Sequence, residues 1–189
     1  MPVTGERRVI LASASPRRKE LLAFLIPRFE VIPSEISETA HGMPKQQVKK
    51  LAADKAADVA AAHPDALVIG ADTLVFLGST PLGKPSDEAD AHRMLRQLSG
   101  RTHLVLTGVS VICDGKMRTA AAATRVRFAH MSDDEISAYI NTGEPMDKAG
   151  AYGIQGAFAK HIAGLRGCYF NVVGLPLHLL YNILKHFRT

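Results

Sequence analysis

Two short runs of uninterrupted apolar residues, Val9-Ile10-Leu11-Ala12 and Ala66-Leu67-Val68-Ile69-Gly70-Ala71, each stop at polar residues, with a helical stretch between them. Runs of this length, bounded by turn-forming residues, read as buried strands. After the first run, Ser13-Ala14-Ser15-Pro16 forms a tight turn into a helix. Pro16 suits the first helical turn, because the N–H it lacks has no intrahelical partner there. Leu21, Leu22 and Leu25 give that helix an apolar stripe. Residues 29–32 read as a second strand, 33–41 as a polar loop, and 44–63 as a long helix rich in Ala, Lys and Gln. The second apolar run is a third strand that leads directly into Asp72, and 74–77 continue extended.

The remaining chain keeps mixing the two periodicities. Ser86 is expected to cap a helix through Leu98, with Asp87, Glu88 and Asp90 near its positive end. Segments 104–113 and 119–128 read as strands joined at Asp114-Gly115, a hairpin turn signature. Ser132-Asp133-Asp134-Glu135 is a capping box opening a helix to about Asn141. A Gly-rich stretch follows, and Pro176 starts an apolar terminal helix to about Phe187. No internal period and no linker is visible, so the 189 residues read as one α/β domain, 1–189, around a mixed sheet.

Composition narrows the partners. The chain is 47% hydrophobic and 22% charged, an ordinary globular balance, and its net charge of +5 favours anionic ligands. The basic residues are scattered, and four Tyr, seven Phe and no Trp offer little for base stacking, which argues against a stable nucleic-acid complex. No apolar run approaches the roughly 18 residues of a membrane span, and the first eight residues lack the apolar core of a signal peptide. Cys113 and Cys168 stand in no metal-ligand or disulfide pattern. A cytoplasmic protein with free thiols and no membrane partner is expected.

Four segments carry chemistry. The turn Ser13-Ala14-Ser15-Pro16-Arg17-Arg18 presents helix N–H groups, hydroxyls from Ser13 and Ser15, and two guanidinium forks, all suited to phosphate oxygens. A capped surface helix with two solvated arginines fits the same residues. Gly70-Ala71-Asp72-Thr73 puts a carboxylate at the end of a buried strand, where open α/β sheets place catalytic groups; a turn-forming Asp fits as well. Gly78-Ser79-Thr80-Pro81-Leu82-Gly83-Lys84 matches part of a phosphate-binding loop, but Pro85 stands where that motif needs Ser or Thr. Lys84 stays a candidate phosphate contact. The stretch 143–156 interleaves four glycines with Tyr152 and Gln155, as a loop close to a ligand would, and Gln155 has the donor and acceptor needed to read a base edge. A plain surface loop is the alternative. The eight histidines show no metal-binding spacing.

Taken together, these segments resemble the Maf family of nucleoside triphosphate pyrophosphatases. The matching stretches are Leu11-Ala12-Ser13-Ala14-Ser15-Pro16-Arg17-Arg18-Lys19-Glu20-Leu21-Leu22, Ile69-Gly70-Ala71-Asp72-Thr73 with Gly83-Lys84-Pro85, Asp147-Lys148-Ala149-Gly150-Ala151-Tyr152-Gly153-Ile154-Gln155-Gly156, and Asn171-Val172-Val173-Gly174-Leu175-Pro176. The resemblance implies a Maf/ITPase-like α/β fold: an elongated mixed sheet flanked by helices, two lobes around a deep nucleotide-binding cleft, and often a homodimer. It implies hydrolysis of dTTP, UTP and related or modified pyrimidine triphosphates to the monophosphate and pyrophosphate, with a divalent cation, Mg²⁺ or Mn²⁺. By position Asp72 takes the catalytic acidic role. Ser13, Arg18, Glu38, Lys55 and Lys84 match other functional positions, with Glu38 and Asp72 as the metal pair. Arg17, Thr73 and Gln155 match the trio of the dTTP/UTP branch, where the branch acting on 7-methyl-GTP has Trp, Gln and Glu. Ser37 and Cys168 depart from the family's usual residues, as does the stretch 157–161. A link to arrest of cell division in some members leaves a nucleotide-sensing regulator as the alternative.

Overall fold

A computed structural model describes residues 7–37, 39 and 41–187. Its strands are β1 (Val9–Leu11), β2 (Glu30–Val31), β3 (Leu67–Leu77), β4 (Thr80–Leu82), β5 (Thr102–Cys113), β6 (Lys116–Phe128) and β7 (Ile162–Arg166). Its helices are α1 (Pro16–Ala23), α2 (Pro44–Ala62), α3 (Glu88–Leu98), α4 (Asp133–Ile140), α5 (Tyr169–Val173) and α6 (Leu177–Leu184), with short 3-10 turns at Glu144–Asp147, Ala149–Ala151, Gly156–His161 and Lys185–Phe187. The seven strands form one sheet in the order β2-β1-β3-β5-β6-β7, with β4 paired to β3. β1 runs parallel to β2 and β3, while β4 on β3 and β7 on β6 are antiparallel. The mixed α/β sheet read from the apolar runs is therefore present.

Several boundaries differ from the sequence reading for local reasons. β3 absorbs residues 74–77 because the chain stays extended through Thr73. The cap of α3 is Asp87, not Ser86: the Asp87 carboxylate accepts from the Asp90 N–H, and the Ser86 N–H is itself held by Asp90. The Gly-rich stretch folds into two tight turns rather than an open loop. The capping box at Ser132 and Glu135 is formed in both directions. Asp114 and Gly115 both sit at positive φ, as the mirror-type hairpin turn requires.

The chain divides into two compact units. The first comprises Met1–Asp72, Thr107–Ala122 and Gly174–Thr189. Its core holds Ile10, Ala12, Ala56, Val59, Ala66 and Val68. Helix α2 lies tightly on the sheet because two glycines admit it. A Cβ at Gly70 would stand 2.7 Å from the Ala56 nitrogen and closer still to the Ala52 carbonyl, and one at Gly108 would overlap the Val48 carbonyl and reach 2.9 Å from the Lys49 nitrogen. The buried face of α2 is Val48, Leu51, Ala52, Lys55, Ala56 and Val59. Fully burying each larger aliphatic of that face contributes about 1.5–3 kcal/mol.

The second unit comprises Thr73–Leu106 and Ala123–Val173. Leu95, Leu98, Met131, Ile136 and Phe158 are central in its core. An aromatic group joins Phe128, Tyr139, Tyr152, Phe158 and His103, with neighbouring ring centroids about 4.6–5.3 Å apart. His103 Nε2 and the Tyr152 hydroxyl are 2.8 Å apart, and burial pushes the imidazole down to about 4. An unfolded chain takes up this proton near pH 6.5, while the folded one refuses it until about pH 4. Stability should therefore fall as pH drops through that window, by up to about 3 kcal/mol. Carboxylates held low by their partners, such as Glu135, add to the same slope. Melting temperatures between pH 7 and 4 test the histidine's share: a His103→Gln variant, which cannot titrate, should lose less stability with acid than the parent.

Both cysteines are free thiols. Among the described residues, no helix is long and apolar enough to cross a membrane.

Candidate functional site

Strands β1 and β3 are adjacent and parallel, with Leu11 opposite Ile69 and the Ala12 N–H donating to the Ile69 carbonyl at 2.8 Å. The turn 13–16 leaves β1 at its carboxyl end, the edge at which α/β sheets bind ligands, whereas Asp72, expected at the end of a strand, lies within β3, which stays extended to Leu77 and carries it three residues past the partner of Leu11.

The turn is held by its own hydroxyls. Ser15 caps α1, its side chain accepting from the Arg18 N–H at 3.5 Å, and Pro16 fills the first helical position. Ser13 is buried, and its oxygen accepts from the Ser15 N–H at 3.3 Å and from Arg18 Nη1 at 3.0 Å. Arg18 Nε donates to the Gly174 carbonyl at 2.9 Å. The guanidinium is therefore aimed by the fold, and its placement costs no side-chain entropy when an anion arrives. With α1's N-terminal amides beside it, the turn gathers donors of the kind that suit an anion. Arg17 sits half-buried on the first turn of the same helix.

Asp72 is 4% exposed, and its Oδ1 accepts from Lys55 Nζ at 2.7 Å, Lys55 being 7% exposed. The glycine contact explains the pairing: Gly70 lets the α2 backbone touch β3 at Ala52 and Ala56, with Lys55 just before Ala56 on the helix and Asp72 two residues after Gly70 on the strand. A buried ion pair gains little net stability, but removing one partner strands the other's charge, at about 3–5 kcal/mol. The second oxygen, Oδ2, is buried and has no hydrogen-bond partner. A buried acceptor without a donor is costly, so this atom fits a water, a cation or a substrate group. Lys55, expected as a functional cation, is placed on the carboxylate.

Thr73, Lys84 and Gln155 belong to the second unit. Thr73 follows Asp72 on β3 and is half-buried, whereas Lys84 and Gln155 are exposed. The Gly150 N–H donates to the Gly83 carbonyl at 2.9 Å, which ties the Gly-rich segment to the strand end beside Lys84. Glu38 lies outside the described residues. Among the described residues, no cluster of three or more His, Cys, Asp or Glu is arranged as a metal site.

Two participants escaped the sequence reading. The Gly174 carbonyl that aims Arg18 carries no side-chain signal. The Lys55–Asp72 pair did leave one: positions 48, 51, 52, 55, 56 and 59 form an apolar helical stripe, and Lys55 is its single charged member. A cation on a core stripe requires a buried partner.

Residues 8–187 match the family of Maf-like proteins. The chain is 52% identical over 179 residues to a dTTP/UTP pyrophosphatase of Koribacter versatilis (strain Ellin345), covering 94% of this chain and 93% of that protein. It is 53% identical over 184 residues to a dTTP/UTP pyrophosphatase of Moorella thermoacetica (strain ATCC 39073 / JCM 9320), covering 95% of each. A dTTP/UTP pyrophosphatase of Thermococcus gammatolerans (strain DSM 15229 / JCM 11827 / EJ3) is 48% identical over 175 residues, or 93% of this chain and 94% of that protein.

Proposed function

This chain belongs to the Maf-like protein family, and we propose that it hydrolyses dTTP, UTP and related pyrimidine triphosphates to the nucleoside monophosphate and pyrophosphate. Relatives of that name at about half identity over nearly the whole chain support the reaction. The observation that carries its chemistry is Asp72: one oxygen is locked by Lys55, and the other is buried and unsatisfied within β3, beyond the point where β1 ends.

Cleavage at the α-phosphorus needs negative charge neutralised and a water oriented. Asp72 Oδ2 accepts a hydrogen bond from that water and takes its proton as the water oxygen bonds to phosphorus. The α–β bridging P–O bond breaks, and the bridging oxygen leaves on pyrophosphate. Lys55 fixes the carboxylate, so that the acceptor lone pairs point one way. Arg18 and the Ser13–Ser15 turn bind phosphate oxygens, with Arg17 and Lys84 adding charge. Lys55 contributes its charge through Asp72.

The unpartnered Oδ2 fits a metal ligand, and a carboxylate has lone pairs enough for a cation and a water together. Asp72 and Glu38 would hold a divalent cation, Mg²⁺ or Mn²⁺, which when bound supplies further neutralisation of phosphate charge. Thr73 and Gln155 contact the base, Gln155 through the paired donor and acceptor of its amide. Acting on free nucleotides, the protein is expected to work in the cytoplasm.

A panel of nucleoside triphosphates assayed for released pyrophosphate, with Mg²⁺ and with Mn²⁺, tests the reading. Turnover concentrated on dTTP and UTP is expected. Tight binding without product would instead favour a nucleotide sensor. Gln155→Glu should reorder the panel, shifting the preference between substrates by about 5- to 150-fold, since one lost base contact is worth about 1–3 kcal/mol. An unchanged ranking would reject Gln155 as the base reader.

A further inference from the structure

The segment that carries Gln155 is fastened on both sides by one side-chain pair. The Gly153 N–H donates to the Tyr139 hydroxyl oxygen at 3.2 Å, and that hydroxyl donates to Glu144 Oε1 at 3.1 Å. On the far side, the Ala157 N–H donates to Glu144 Oε2 at 3.3 Å. Each anchor stands two residues from Gln155. Tyr139 is itself buried, 5% exposed and packed with its ring centroid 4.8 Å from that of Phe158. Glu144 is fixed from behind, where Lys148 Nζ donates to its backbone carbonyl and to Asp147.

The glycines of the segment are shaped to this carboxylate. Gly156 sits at φ +78°, and a Cβ there would stand 2.9 Å from Glu144 Oε2. One at Gly153 would stand 3.1 Å from Oε1. The backbone around Gln155 thus closes on the Glu144 carboxylate without side chains between them. Neither Tyr139 nor Glu144 has a part in the phosphate chemistry above.

We propose that Tyr139 and Glu144 are positioning residues for base selection: their hydrogen-bonded pair clamps residues 153–157 so that Gln155 meets the base in one backbone conformation. The proposal rests on the reading of Gln155 as the base contact. Its physical content is preorganisation. A segment ordered during folding gives up no conformational freedom when substrate binds, and a released one does. The loss appears in substrate affinity and not in the chemical step, which takes place at the phosphates.

Steady-state kinetics on dTTP and UTP test this in Tyr139→Phe, Gly156→Ala, Gln155→Ala and the double variant Tyr139→Phe/Gln155→Ala. Tyr139→Phe keeps the packed ring and removes both hydrogen bonds. Gly156→Ala keeps the Tyr139 and Glu144 side chains but drives a methyl against the Glu144 carboxylate at positive φ, which pushes the segment and the carboxylate apart, so it carries the same test if Tyr139→Phe folds poorly. Both should raise KM about ten-fold with kcat within about three-fold of the parent. In the double variant KM should equal that of Gln155→Ala alone, because a clamp has nothing left to position. A normal KM in both Tyr139→Phe and Gly156→Ala, a kcat loss as large as the KM rise, or effects that multiply in the double variant would overturn the clamp. If Gln155→Ala itself leaves KM unchanged, the base reading fails and the clamp with it. If Gln155→Ala raises KM while the other two are silent, the clamp alone is lost.

Discussion

Asp72→Asn is expected to lower turnover of dTTP at neutral pH by about a thousand-fold, within the range of general-base removal. The amide keeps the size of the carboxylate but cannot take a proton from water. Its stability should fall too, because the buried Lys55 ammonium loses the charge of Asp72, at up to about 3–5 kcal/mol. The two effects are separable. Replacing both partners with apolar residues, as in Lys55→Met with Asp72→Leu, should recover most of the stability and none of the turnover. Urea unfolding and kcat at saturating dTTP read the two quantities. Turnover of Asp72→Asn within ten-fold of the parent would remove Asp72 from the proton transfer.

Gly108→Ala is expected to cost more than about 3 kcal/mol, at the upper end of overpacking, or to prevent folding. The added methyl would overlap the Val48 carbonyl, which is backbone and cannot rotate aside. Gly70→Ala meets the α2 backbone in the same way at the Ala52 carbonyl and Ala56 nitrogen. Here any relief moves α2 relative to β3 and with it Lys55 relative to Asp72, so residual turnover should fall along with stability. Urea midpoints of the two variants beside a solvent-exposed control, Gly83→Ala, where a Cβ meets nothing within 4 Å, measure the effect. A loss under about 1 kcal/mol at Gly108 would mean that α2 can lift from the sheet cheaply.

These expectations depend on features of unequal visibility. The buried strands were legible because uninterrupted apolar runs between turn residues have few other readings, and the capping box announced α4 through residue types that satisfy each other. β7 (Ile162–Arg166) was not legible. Ile-Ala-Gly-Leu-Arg has no alternation, and its pairing with β6 is set by residues more than 30 positions away. β4 was hidden by Pro81, which is tolerated because the strand hangs on β3 alone. The start of α3 slipped by one residue because Ser86 and Asp87 are both good caps and only geometry chooses between them.

The candidate site divides in the same way. Its cluster of donors at the start of α1 is local, so Ser13, Ser15, Pro16 and Arg18 could be read from adjacency. The Lys55–Asp72 pair joins a helix to a strand and was visible only as a cation out of place on an apolar stripe. The role of Gly174 as the acceptor for Arg18 lies in the backbone, and that of Glu144 in a carboxylate placed against the backbone of Gly153, Gly156 and Ala157. No residue type advertises them.

The reaction itself has one direct test. When the enzyme hydrolyses dTTP in water enriched in heavy oxygen, mass spectrometry of the products shows which phosphorus was attacked. The expected result is one heavy oxygen in thymidine monophosphate and none in pyrophosphate. Label in pyrophosphate, or release of inorganic phosphate and a nucleoside diphosphate, would contradict attack at the α-phosphorus.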